Sequence, residues 1–180
     1  EFERANEMID KALEMKPGSP LLASIRDICR NTSPIDRVRM EIEQQELSPD
    51  EAKVNLYVSM RTLAAQQEAS AVRLDRSRLS DQAGEARAFA VEANEAADAI
   101  ETEIASFPVE SYPALFEYRF QESMDSGDWE FANELVELSK EHNLDEAGGH
   151  LTKARYHRER SSFLREEGDA AGTRAELVNA

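Results

Sequence analysis

The stretch Ala86-Arg87-Ala88-Phe89-Ala90-Val91-Glu92-Ala93-Asn94-Glu95-Ala96-Ala97-Asp98-Ala99-Ile100-Glu101-Thr102-Glu103-Ile104 decides how this chain is read. Ala86, Ala90, Ala93, Ala97, Ile100 and Ile104 recur at alternating steps of four and three. On a helix that spacing makes one seam of mostly small side chains, against which a neighbouring helix can lie closely. Ser80-Asp81 marks a turn or re-cap ahead of the seam, and Pro108 stops the helix after about Phe107. Upstream, Ser48-Pro49-Asp50-Glu51 reads as a capping box, and no breaker follows until about Leu79. The helix opened there has roughly 30 residues and a length of roughly 45 Å. The two helices are expected to pack antiparallel as one long hairpin, with a second copy of the chain as the alternative filler of the seam.

Working outward, prolines and glycines fall mostly between apolar-periodic segments and few runs alternate with period two, so the chain reads as all-α. A helix from Phe2 ends at Lys16-Pro17-Gly18-Ser19-Pro20, a short one runs from Leu21 to Arg30, and Ser33-Pro34-Ile35-Asp36 caps a third. Beyond Pro108 the expected helices are Pro113–Ser126, Trp129–His142, Asp145–Glu167 and a last one after Gly168-Asp169. The chain opens at Glu1 without Met and stops inside a helix at Ala180, so it reads as a piece of something longer. A cytoplasmic location is the expectation, with periplasmic or exported locations left open.

Composition narrows the function classes. The 180 residues carry 37 acids against 21 Lys and Arg, a formal charge of −16, which sets the surface against nucleic acid as a general partner. Mean hydropathy is −0.62 and no apolar run approaches a membrane span. Cys29 is the one cysteine, which excludes an internal disulfide and a Cys-rich zinc site. It lies among Leu21, Leu22, Ile25 and Ile28, where a buried thiol is expected rather than a nucleophile.

Self-similarity carries the functional expectation. Phe2, Ala5, Ile9 and Ala12 stand at steps of three, four and three, with Pro17 five residues on. The same steps give Trp129, Ala132, Val136 and Ser139 after Gly127-Asp128, and Ala170, Thr173, Leu177 and Ala180 after Gly168-Asp169. Ala93, Ala96, Ile100 and Glu103 before Pro108 are a weaker copy. The Gly admits a left-handed backbone, the Asp caps, and the small residue marks a close helix crossing. The pattern resembles the second helix of a tetratricopeptide repeat, best in Phe2–Pro17. It departs from that family in the 41 residues separating Gly127 from Gly168, against a usual period of about 34, and in lacking the first-helix Gly and Tyr. The resemblance implies antiparallel hairpins in a right-handed array: a half-repeat and the long hairpin over 1–107, then repeat-like pairs over 108–180.

Catalytic chemistry has little support. His142, His150 and His157 are the near-neutral candidates, and Glu146, His150 and His157 share a helical face, but no His-Glu-x-x-His or Glu-x-x-His occurs. No phosphate loop, nucleotide fingerprint or nucleophile elbow is present. The expectation is a non-enzymatic protein with no cofactor and no metal.

One segment reverses the charge. His150–Arg165 holds Lys153, Arg155, Arg158, Arg160 and Arg165 against Glu159 alone, a local +4 in a −20 background. By the resemblance, Arg155, Arg158, Ser162 and Arg165 would face a concave groove, joined by Glu117, Gln121 and Met124 from the preceding first helix. Guanidinium groups there would hold a protein or peptide partner through an acidic segment or C-terminus. Pairing with the chain's own Glu134 and Glu137 is the competing explanation. An assembly subunit that oligomerises or docks through the long helices is the alternative function. Arg73, Arg76 and Arg78 need no partner, because they face the negative end of the long helix's dipole.

Overall fold

A computed structural model describes residues 33–144 and 149–179, together with residues 8, 11, 12, 15, 16, 18 and 19. Most of the expected helix over Phe2–Pro17, all of that over Leu21–Arg30, the Cys29 thiol, and Glu146 lie outside the described residues. What is described is all-α, with no strand among the described residues. The chain forms two compact units, Glu1–Ser48 and Pro49–Ala180. The division expected after residue 107 therefore falls inside the second unit.

In the first unit, α1 runs Pro34–Glu43. The Ser33 hydroxyl accepts from the Asp36 amide at 3.1 Å and donates to its carboxylate at 2.9 Å, while Pro34 fills the first turn where no amide is needed.

The second unit is built from α2 (Pro49–Arg76), α3 (Ser80–Ile104), a 3-10 turn (Val109–Ser111), α4 (Pro113–Ser126), α5 (Trp129–His142), α6 (His150–Glu166) and α7 (Ala170–Asn179). Helices α2 and α3 form the long hairpin, and the alanine seam is filled within the chain. Ala83, Ala86, Ala90, Ala93, Ala97 and Ile104 are buried on α3; Val54, Tyr57, Met60, Ala64 and Ala71 are buried on α2. Ion pairs set an antiparallel register along its flanks. Lys53 meets Glu103, Arg61 meets Asp98 at 2.7 Å, and Asp75 meets Arg87.

Three hairpins follow one another, α2 with α3, α4 with α5, and α6 with α7, and the first helices touch in series, α2 on α4 and α4 on α6. The turns expected at Gly-Asp form as their chemistry requires. Gly127 takes φ +75° and the Asp128 carboxylate accepts from the Phe131 amide at 3.1 Å; Gly168 takes φ +81° and Asp169 accepts from the Gly172 amide at 2.9 Å. The α5–α6 connection uses a glycine that the pattern did not single out. Gly149, at φ +82°, lies so close to α5 that a Cβ would stand 2.7 Å from the Lys140 backbone nitrogen. Between these helices, Phe116, Phe120, Met124, Ala132, Leu135, Val136 and Tyr156 form a continuous core.

Candidate functional site

Where α4 lies on α2, the two helices are locked by an aromatic and charged knot. Tyr57 and Tyr118 meet edge to face at 5.6 Å, and Arg61 and Arg119 stand over the Tyr57 ring at 5.4 and 5.6 Å. Arg61 is shared among three acceptors on α3: Asp98, Glu101 at 3.0 Å, and the Asn94 carbonyl at 3.1 Å. Burial works against its charge, but the Tyr57 oxygen, Glu101 and Asp98 outweigh that and raise its pKa. On α4, Glu122 accepts from Tyr118 at 3.0 Å and pairs with Arg119 at 2.8 Å. Burial and then the Glu122 carboxylate push the Tyr118 phenol well above its ordinary value near 10.

Beyond this knot the helices part and leave an open cleft of about 690 Å³. Its floor is the α2 face formed by Thr62, Ala65 and Ala69, again at steps of three and four, with Gln66 beside them; its far wall is Tyr118, Gln121, Glu122 and Asp125 of α4. An adjoining hollow shares Arg61, Ala65, Tyr118 and Glu122 and adds Glu68. The floor alanines are exposed although Ala64, beside them in sequence, is only 2% exposed. Helix phase alone separates the two kinds of alanine. One turns toward α3 and the other toward open space.

The residues expected to form a partner groove are divided by this geometry. Gln121 is a wall of the cleft. Arg155 reaches from α6 across to α4, where it pairs with Glu117 at 2.8 Å, donates to the Gln121 carbonyl oxygen and stands 5.3 Å from the Phe120 ring centre. Those three expected site residues are thus brought together, but onto each other. Met124 is 6% exposed and belongs to the core, because it shares a face with Phe116 and Phe120 at steps of four. It presents little surface to a partner. Arg158 is exposed beside Glu159 at 3.6 Å, and the Ser162 hydroxyl donates to the Arg158 carbonyl at 3.2 Å. Arg165 lines a smaller hollow at the α6–α7 turn, with Arg174.

Self-pairing does occur, yet with other acids than Glu134 and Glu137. Glu137 pairs with Lys140 on its own helix, and the α6 cations use Glu117 on α4 and Glu176 on α7. Glu176 accepts from Arg160 at 3.3 Å and sits 2.6 Å from His157 Nδ1, with only 13% of its side chain exposed, so it fastens α7 to α6. His142 and His150 are exposed. Among the described residues, no three His, Cys, Asp or Glu side chains gather as metal donors, and no helix is long and apolar enough to cross a membrane.

The cleft floor is the feature missed in the sequence. Its only signal was the run of small residues Thr62, Ala65 and Ala69 on a face that the α3 seam does not need. Comparison of the chain with models of protein families, with curated proteins and with solved structures finds no match.

Proposed function

We propose that this chain is a non-enzymatic, helical-repeat interaction module that holds a segment of a partner protein in the cleft between α2 and α4. The observation that carries this reading is the open cleft itself, with a small-residue floor and a wall of polar side chains on rigid helices. Clefts between helices take apolar side chains for affinity and use rim polar groups for orientation. The serial contact of α2, α4 and α6 supports the tetratricopeptide-like arrangement that the resemblance implies, in which first helices line one face. A second reading, assembly between copies through the long hairpin, is favoured by the exposure of Val72 and Val91 on its outer faces.

One experiment separates them. A photo-crosslinking residue is placed at Ala65 in the cleft and, as a control, at Glu130 on α5. A discrete adduct with another protein, formed at 65 but not at 130 and lost when Ala69→Trp fills the floor, is the expected result. Adducts only between copies of this chain would move the assignment to assembly. Equal adducts at both positions would remove the cleft from consideration.

A further inference from the structure

We infer that the occupant of the α2–α4 cleft is a basic amphipathic helix, which rests on the interaction reading above and replaces the acidic segment that the arginine-rich helix had suggested. Charge is the first reason. Glu122 and Asp125 line the cleft, and Glu68 lines the hollow adjoining it. The cations nearby are already committed, Arg61 to Asp98 and Glu101, and Arg119 to Glu122. The side chains that line the cleft and the adjoining hollow set Arg61 alone against Glu68, Glu122 and Asp125, a charge of −2. Arg155, the cation expected to draw an acidic ligand, is held by Glu117 and Gln121. A lysine- or arginine-bearing partner is favoured at this rim and an acidic one is repelled.

Backbone chemistry chooses the helix. An extended peptide buries amide groups that need partners, and it takes them from a sheet edge or from free side-chain amides. Helices α2 and α4 spend their backbone groups internally. Two side-chain amides line the cleft; Gln121 donates to Asp125 at 2.6 Å and accepts from Arg155, which leaves Gln66 alone to serve the successive amides of an extended segment. A helix satisfies its own backbone and asks the cleft only for apolar contact and a charged rim. The fit in length agrees. Thr62 to Ala69 covers two turns, about 10 Å, and small residues at steps of three and four form the groove into which a partner helix's side-chain ridge can settle.

The test uses the full chain and three fluorescent synthetic peptides of 18 residues: a leucine/lysine amphipathic helix, its leucine/glutamate counterpart, and the leucine/lysine peptide broken by two central prolines. Binding is read by anisotropy at physiological salt. The leucine/lysine helix should bind at least tenfold more tightly than either other peptide. Glu68→Lys with Asp125→Lys, a pair that leaves the Glu122 contacts intact, should weaken it tenfold or more. Glu130→Lys with Glu134→Lys, the same charge change on α5, should weaken it less than threefold. Ala65→Trp should abolish binding without loss of helical circular dichroism. Equal weakening by the two lysine pairs would show attraction to overall charge only and overturn the inference. Blocking by Ala65→Trp with no effect of the rim charges would overturn the basic helix while leaving the cleft as a docking site. Indifference to Ala65→Trp would overturn both. Self-association of the chain that Ala65→Trp abolishes would make a second copy the occupant, and also overturns the inference.

Discussion

The outer part of the long hairpin and the cluster formed by α4, α5 and α6 are both packed helical structures, yet they hold together by opposite means. At the outer part of the hairpin the core is Ala71, Ala83 and Ala86 with Leu74 beside them. Around α4, α5 and α6 it is Phe116, Phe120, Met124, Leu135, Val136 and Tyr156. Transfer from water contributes roughly 25 cal/mol per Å² of apolar surface, so an alanine offers little and a phenylalanine much. What alanine provides instead is helix propensity and close approach of two backbones. The outer part of the hairpin is therefore a structure of small increments, while Tyr57, Met60 and Ile104 fill its other end, and its ion pairs specify register more than they add stability. The aromatic region concentrates its stability in a few side chains.

That contrast makes opposite mutations costly in the two regions. The largest effect is expected for Phe120→Ala. Phe120 is fully buried and stacks on Phe116 with ring centres 6.1 Å apart, so truncation should lower the unfolding free energy by about 3–5 kcal/mol. Urea denaturation followed by circular dichroism measures it. A loss under 1 kcal/mol would mean that the aromatic cluster is not the main source of stability. In the hairpin the damaging change is enlargement. Ala93 is fully buried where α3 lies on α2, and Ala93→Leu should cost about 1–3 kcal/mol because the seam must open to admit the added atoms. If the leucine variant is as stable as the parent, the seam has room and the close-packed description of the hairpin is wrong.

The sequence made the hairpin legible because its information is local: the seam's spacing, the turn before Ser80 and the stop at Pro108 are all read within one segment. The Gly-Asp turns were legible for the same reason. Met124 was not placed correctly, since α4 carries apolar or aromatic residues on several faces, among them Leu115, Phe116, Tyr118 and Phe120, and its buried side depends on which helices cover it. Nor was the partner of Arg155 visible. Glu134 and Glu137 are nearer in sequence than Glu117, but α6 lies against α4 as well as α5, and only the tertiary arrangement turns Arg155 that way. The cleft floor was hidden because Ala65 and Ala69 have the same composition as the buried alanines and differ only in what stands opposite.

The joint between the two regions supplies the smallest expected effect and the most direct probe of whether they act as one unit. Tyr118 belongs to α4 but its ring meets Tyr57 of α2, and its phenol is raised above the ordinary value by burial first and by Glu122 second. A proton held more tightly in the folded state contributes stability that is fully present below the unfolded tyrosine value near 10 and is lost as pH rises through the folded value. Stability should therefore begin to fall above pH 10, by less than about 1 kcal/mol at pH 11 once the partial exposure of the phenol is allowed for. The Lys53 amine, also raised by Glu103, adds to the same alkaline loss, so the tyrosine's share is isolated by Tyr118→Phe, which should flatten the fall without abolishing it. Absorbance at 295 nm gives the second readout, with one phenol that ionises well above pH 10 in the native chain missing in the variant. If Tyr118→Phe leaves the alkaline slope unchanged and the phenol lost from the titration is one that ionises near pH 10, Tyr118 is solvated and α4 is not held to the long hairpin by this knot. The cleft would then have lost its fixed wall.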